Sequence, residues 1–147
     1  MTKHLFRKAV LAILVNDQGK ILIGSSPRDG GYKLPQGGLD PGEDPISGVK
    51  RELLEELALA ISDRDIEVLH RETVQYLYPP EDPYYIYKGQ RLHVFKINYS
   101  GNEQVVPQDD EFDKLYWIDP KELDNFDVGF RLEAYKRALY LCELLRF

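Results

Sequence analysis

Residues 37–56 read Gly37-Gly38-Leu39-Asp40-Pro41-Gly42-Glu43-Asp44-Pro45-Ile46-Ser47-Gly48-Val49-Lys50-Arg51-Glu52-Leu53-Leu54-Glu55-Glu56. The first part is loop chemistry: from Lys33 to Gly42, Gly and Pro are too dense for regular structure to be expected. Asp44 then offers a helix N-cap, and Pro45 takes the first helical position, where its missing N–H costs nothing. Ile46, Val49, Leu53 and Leu57 follow at helical spacing and form one apolar stripe. Glu52, Glu55 and Glu56 stand at i, i+3 and i+4, so their carboxylates share a helix face, opposite the stripe or on its flank. Carboxylates gathered in this way repel unless cations lie among them. Hard oxygen ligands of this kind suit Mg²⁺ or Mn²⁺ held jointly with substrate phosphates. Gly37 permits the close approach that would bring a backbone carbonyl to the same ions. A solvated acidic face is the plainer reading of a bare Glu-x-x-Glu-Glu; the glycine-rich lead-in is what sets this one apart.

Outward from this stretch, strands and helices interleave. Ala9–Val15 is short, apolar and partly β-branched, as suits a strand covered on both faces. Asn16–Lys20 is a turn and Ile21–Ile23 a second strand. Past the carboxylates the helical periodicity stops at Ser62-Asp63-Arg64-Asp65. Residues 66–78 and 90–99 read as strands, the latter alternating Leu92/Val94 against His93/Phe95/Ile97/Tyr99. Leu115–Ile118 is a short strand before a helix start at Asp119-Pro120. A last helix carries Val128, Leu132, Tyr135, Leu139 and Cys142 on one face. The class is mixed α/β. No repeat or linker divides the chain, and residues 1–147 are read as a single domain.

Composition narrows the function. The chain has 147 residues, 43% apolar and 30% charged, enough to bury a core. Nineteen Lys and Arg against 25 Asp and Glu leave a net charge of −6, so a polyanion would need a local basic patch or bridging cations. The single cysteine, Cys142, excludes an internal disulfide and reads as a core residue. His4, His70 and His93 are isolated and read as structural or solvent-facing. The longest apolar run, Ala9 to Val15, is far too short to span a membrane. Neither a membrane nor DNA is expected as a partner, and the expected compartment is the cytoplasm.

The stretch from Gly37 to Leu59 resembles the Nudix box, Gly-x5-Glu-x7-Arg-Glu-(apolar)-x-Glu-Glu-x-Gly-(apolar), with Gly37, Glu43, Arg51, Glu52, Leu53, Glu55, Glu56 and Leu59 in register. The departure is Ala58, where the family has Gly; it lies at the helix exit and leaves every ligand in place. Tyr32-Lys33-Leu34-Pro35-Gln36-Gly37-Gly38 is similar to the lead-in of the RNA pyrophosphohydrolase and diadenosine tetraphosphate hydrolase branch. Tyr87-Lys88-Gly89-Gln90-Arg91, Glu111-Phe112-Asp113, Val128-Gly129-Phe130-Arg131 and Phe6-Arg7 resemble further segments of that branch, although Lys8 replaces a usual Pro.

The resemblance implies the Nudix fold, an α/β/α sandwich around a mixed sheet, and metal-dependent hydrolysis of a nucleoside diphosphate linked to a further group. It implies metal ligands at Gly37, Glu52, Glu55, Glu56 and Glu111, the four glutamates being also the catalytic candidates. Arg7, Lys33, Gln36, Tyr76, Tyr87, Gln90, Phe130 and Arg131 are the expected substrate contacts, with Glu43 and Arg51 orienting the box carboxylates. In the tyrosine-rich loop 76–87, one of Tyr76, Tyr78 or Tyr87 is expected to stack on a base. The leading expectation is a dinucleoside tetra- or pentaphosphate, because the acidic balance disfavours long RNA. The alternative is removal of pyrophosphate from triphosphorylated RNA 5′ ends. A non-catalytic nucleotide-sensing module would be expected to have lost box carboxylates, and all are present.

Overall fold

The apolar run that begins at Ala9 becomes the centre of the sheet. In the computed structural model, which describes residues 4–67, 72–101, 104–108 and 111–146, strand β1 (Phe6–Val15) pairs in parallel along its whole length with β7 (Gly89–Asn98). Its other edge pairs antiparallel with β4 (Gln36–Gly38) and, at Val15, with β2 (Ile21–Ser25). Strand β2 carries β3 (Tyr32–Lys33) and β8 (Leu115–Ile118), and β7 carries β5 (Ile66–Glu67) and β6 (Thr73–Leu77).

Alternation along β1 sorts the core into two layers. Ala9, Leu11 and Ile13, with Leu92 and Val94, meet Ala134, Tyr135, Ala138 and Leu139 of helix α2 (Leu132–Leu141). Val10, Ala12 and Leu14, with Phe95 and Ile97, meet Val49, Leu53 and Leu57 of helix α1 (Pro45–Leu57). The result is the expected α/β/α sandwich around a mixed sheet.

Several elements differ from the sequence reading. The Gly- and Pro-rich segment contains two strands, β3 and β4. Their extended backbone is stabilised by pairing with β2 and β1, which local composition does not report. The strand read over 66–78 is two strands, β5 and β6; residues 68–71, His70 among them, lie outside the described residues. Helix α1 stops at Leu57, before Ser62-Asp63-Arg64-Asp65, and Asp63–Asp65 forms a 3₁₀ turn. Ile46, in the first turn of α1, is 37% exposed, because the apolar stripe meets the sheet only from Val49 onward. The Asp119 cap is present but opens a 3₁₀ turn, Pro120–Asn125, and Val128 precedes α2.

Asp44 caps α1 as read, its carboxylate accepting the Ser47 N–H at 3.1 Å. The other end is set by Ala58, which takes a left-handed conformation (φ 53°) and donates its N–H to Leu54 O at 3.1 Å. That conformation costs a non-glycine residue about 1 kcal/mol. Ala58→Gly is therefore expected to stabilise the chain by about 1 kcal/mol while leaving hydrolysis within a few-fold of the parent. Urea denaturation checks the gain; an unchanged or lowered midpoint would show that the strain is relieved elsewhere.

Candidate active site

Helix α1 presents its three glutamates at three depths. Glu55 is 57% exposed by side chain, Glu52 14%, and Glu56 is buried at 2% of the residue. The carboxylates thus sit on the flank of the apolar stripe, with Glu56 drawn into the buried face between Leu53 and Leu57. No N–H or O–H of another described residue reaches either Glu56 oxygen, but in its protonated form Glu56 shares a hydrogen bond with Glu52. Burial pushes its pKa well above the ordinary carboxylate value, and the neighbouring charges of Glu52 and Glu111 push it further. Burial also raises Glu52, and Glu55 adds to this, against the pull of Arg51.

Arg51 holds the group together. Its Nε and Nη2 donate to the two oxygens of Glu43 at 2.7 and 2.8 Å, Nη1 reaches Glu52 at 3.0 Å and Glu55 at 3.2 Å, and Nη2 also donates to Gly38 O at 2.9 Å. The Arg51 hydrogen bonds, with the Asp40 N–H, keep the Glu43 pKa at about 2. A Cβ at Gly37 would displace the Glu52 carboxylate, and one at Gly38 the Arg7 guanidinium.

Above the carboxylates opens a cleft of about 1230 Å³, onto which Arg7, Lys33, Gln36, Gly37, Glu43, Glu52, Glu55, Tyr87, Gln90, Glu111 and Arg131 all face. Opposite α1 lies a connected set of charges. Lys33 Nζ is 2.8 Å from Asp29 and 3.3 Å from Glu111, Arg28 pairs with Glu111 at 2.7 Å, and Arg131 stands 4.0 Å from Asp29. Burial works against the charge of Asp29, but the Lys33 hydrogen bond and charge outweigh it and lower its pKa. Burial likewise opposes the charge of Arg131, and the Tyr76 and Tyr135 phenols more than offset it.

Tyr76 is placed otherwise than expected. It is 5% exposed and stands beneath the cleft floor, because its phenol oxygen is enclosed by Gln36 Nε2 (2.6 Å), Gln90 Nε2 (2.5 Å) and Arg131 Nε (3.3 Å). Its part is to fix these three side chains, and its ring is not free to stack on a base. Phe130, 38% exposed, lies 4.4 Å from Arg131 Cζ and edge-on to Tyr78 and Tyr85, whose rings stack at 4.0 Å. Tyr84, Tyr85 and Tyr87 reach the cleft from the same side.

Sequence reasoning passed over Arg28 and Asp29, read as loop, and Tyr135, read as core. Tyr135 donates to Gln36 Oε1 and accepts the Leu34 N–H at 3.3 Å, so a fully buried helix residue anchors the floor. The one local hint was the opposite charge of Asp29 and Lys33 four residues apart.

The family model described as NUDIX domain matches residues 5–138. The chain belongs to the Nudix family. It is 35% identical to the RNA pyrophosphohydrolase of Gluconacetobacter diazotrophicus, over 89% of this chain and 87% of that one. It is 31% identical to the RNA pyrophosphohydrolase of Legionella pneumophila, over 91% and 81%. Among solved structures, a MutT protein from Methanosarcina mazei Go1 superposes with a TM-score of 0.71 at 19% identity, covering 94% of this chain and 96% of that one. A C. elegans Ap4A hydrolase binary complex superposes with a TM-score of 0.65 at 18% identity, covering 93% and 97%. At those identities the superpositions speak for the Nudix fold alone.

The Nudix helix fits the divalent cation expected of the family. Buried Glu56, whose oxygens no described donor reaches, the adjacent Glu52 carboxylate and a Gly37 backbone close to it form an all-oxygen donor set. Among the described residues no three acidic, His or Cys side chains are already gathered tightly enough to hold an ion. Glu52 and Glu55 are held by Arg51, and Glu111 by Arg28 and Lys33.

The raised pKa of Glu56 has a signed consequence for stability. The folded chain keeps this proton at pH values where the unfolded chain has released it, so stability declines as pH rises above the ordinary glutamate range. In chelator, Glu56→Gln should melt higher than the parent at pH 8, with the gap narrowing towards pH 5. Adding Mg²⁺ should raise the parent's melting temperature more than the variant's. Parallel melting curves at every pH and metal concentration would remove Glu56 from the ion site.

Proposed function

We propose that the chain is an RNA pyrophosphohydrolase, removing pyrophosphate from triphosphorylated RNA 5′ ends, in place of the dinucleoside polyphosphate expected first. The observation that carries this is the identity of 28–35%, over about nine-tenths of this chain, to relatives named for that activity. The Ap4A hydrolase neighbours are 14–18% identical. The acidic balance that argued against RNA is a whole-chain average, whereas the cleft wall carries Arg7, Lys8, Arg28, Lys33 and Arg131.

In this reading water attacks a phosphorus of the 5′ triphosphate, the anhydride P–O bond breaks, and pyrophosphate leaves a 5′-monophosphorylated RNA. Mg²⁺ or Mn²⁺ bound by Gly37 O, Glu52, Glu55, Glu56 and Glu111 would neutralise phosphate charge and lower the pKa of the attacking water. One of the four glutamates takes its proton. Lys33 and Arg131, anchored by Asp29 and Tyr76, face the phosphates. Gln36 and Gln90 contact the substrate from the floor, and Tyr87 or Phe130 offers a base its ring face.

Assays on triphosphorylated short RNA and on diadenosine tetraphosphate, each with Mg²⁺ and with Mn²⁺, test the reading. Pyrophosphate release from the RNA should exceed dinucleotide cleavage, and chelator should abolish both. Glu52→Gln should lower kcat by roughly 10²–10⁴-fold. Faster cleavage of the dinucleotide would return the assignment to the dinucleoside polyphosphates, and full turnover in chelator would remove the metal.

A further inference from the structure

At the rim of the cleft the first residues of β1 lie beside the first residues of β7, with Phe6 opposite Gly89, Arg7 opposite Gln90 and Lys8 opposite Arg91. Parallel partners project to the same side of a sheet about 4.8 Å apart, so Lys8 and Arg91 stand together on the face that Phe6 also occupies. The Phe6 ring carries Arg91 Cζ at 4.9 Å and Lys88 Nζ at 5.3 Å from its centre. Lys8, Lys88 and Arg91 are all exposed. Among the described residues none of the three, nor Arg7, is in an ion pair, whereas Arg28, Lys33 and Arg131 within the cleft all are.

Within the paired stretch of β1, β7 and β6 no described residue is an acid, and the carboxylates that share the cleft with Phe6, Arg7 and Lys8 on this side are Asp40 and Glu43. The β6 residues that pair with this part of β7 are Gln75, Tyr76 and Leu77, and Arg91 donates to Gln75 Oε1 at 3.2 Å. On the other side Lys8 O accepts the Leu39 N–H. His93, one step further along β7, has its pKa lowered by burial and then by the charge of Lys8. Phe6, Arg7 and Lys8 also line the cleft, so the patch continues the site outward.

We propose that Lys8, Lys88 and Arg91, arrayed around Phe6, form a track for the phosphodiester backbone of single-stranded RNA leaving the cleft. The inference rests on the reading of the substrate as an RNA 5′ end and extends it to nucleotides that take no part in the chemistry. In a chain of net charge −6, cations left unpaired beside the site are where a second and third phosphate gain most. The aromatic ring orders Lys88 and Arg91 in advance, which reduces the entropy lost on binding. A backbone track carries no sequence code and answers to salt.

The test compares the parent with Lys88→Gln/Arg91→Gln, and with Lys20→Gln/Lys121→Gln, which removes the same charge at exposed positions away from the patch. Anisotropy measures binding of a 5′-monophosphorylated single-stranded 12-mer, and kinetics follow a triphosphorylated dinucleotide and the triphosphorylated 12-mer. The track predicts about tenfold weaker 12-mer binding for K88Q/R91Q, with the slope of log K against log salt reduced by about 1, near the value for one to two single-strand phosphate contacts. It predicts an unchanged dinucleotide kcat/KM, and the remote pair behaving as the parent. Lys88→Arg/Arg91→Lys, which keeps both charges, should keep the affinity. Equal losses in both Gln pairs, or an unchanged salt slope, would overturn the track. Lost binding in K88Q/R91Q alongside a parent that hydrolyses neither RNA would support the track and sink the 5′-end reading.

Discussion

A guanidinium bonded to six oxygens, from Glu43, Glu52, Glu55 and Gly38, ties three separate pieces of chain to one another. Glu43 belongs to the loop before α1, Gly38 ends β4, and Glu52 and Glu55 are on α1 itself. Glu43 also accepts the Asp40 N–H at 3.0 Å, so the turn at 40–43 is fixed to the same point. Only a planar fork can serve both oxygens of Glu43 and still reach a carbonyl; a lysine ammonium would reach one partner at a time. The near wall of the cleft depends on this residue more than on burial, since loop 39–43 contributes few buried side chains.

The same arrangement explains how a protein tolerates Glu52, Glu55 and Glu56 side by side. Arg51 neutralises the outer two and leaves Glu56, which is too deep for it, with a raised pKa and no donor from another residue. A buried carboxylate with no such donor lowers stability. Its presence is better accounted for by a ligand that arrives with positive charge than by any packing need. Across the cleft the pattern is reversed: Asp29 and Glu111 hold Lys33, Arg28 and Arg131 in place. One wall holds carboxylates with an arginine among them, the other cations with carboxylates among them, as a cation-assisted polyphosphate site requires.

What the sequence disclosed divides by range. The start of α1 was legible because Asp44 and Pro45 act on their immediate neighbours. Strand β1 was legible from its unbroken apolar run, and the two faces of β7 because alternation is local. Strands β3 and β4 were not, since two or three residues in or beside a Gly- and Pro-rich stretch become strand only through a partner. Of the site, the Nudix register named the carboxylates and Arg51, but nothing local distinguished Tyr76 as a floor anchor from Tyr84 or Tyr87 at the mouth. Its role comes from Gln36, forty residues away, and Arg131, fifty-five away. Tyr135 likewise kept its apolar spacing on α2 while placing its hydroxyl against Gln36, ninety-nine residues distant.

On the RNA reading, net charge is a poor guide for a related reason. A total of −6 counts every ion, including those already spent on one another. In the folded chain Lys50 faces Asp63, Lys96 faces Glu67, Lys136 faces Asp124 and Arg137 faces Glu72, so these cations are engaged where they stand, away from the cleft, and the total does not report where free cations lie. Screening confines exposed charges to a range of about 8 Å at physiological salt, and a phosphate at the rim therefore feels Arg7, Lys8 and Arg91 far more than the distant carboxylates. Whether an acidic protein takes a polyanion is decided by which cations folding leaves unpaired beside the site. In the proposed track strand register makes that decision, by setting Lys8 beside Arg91.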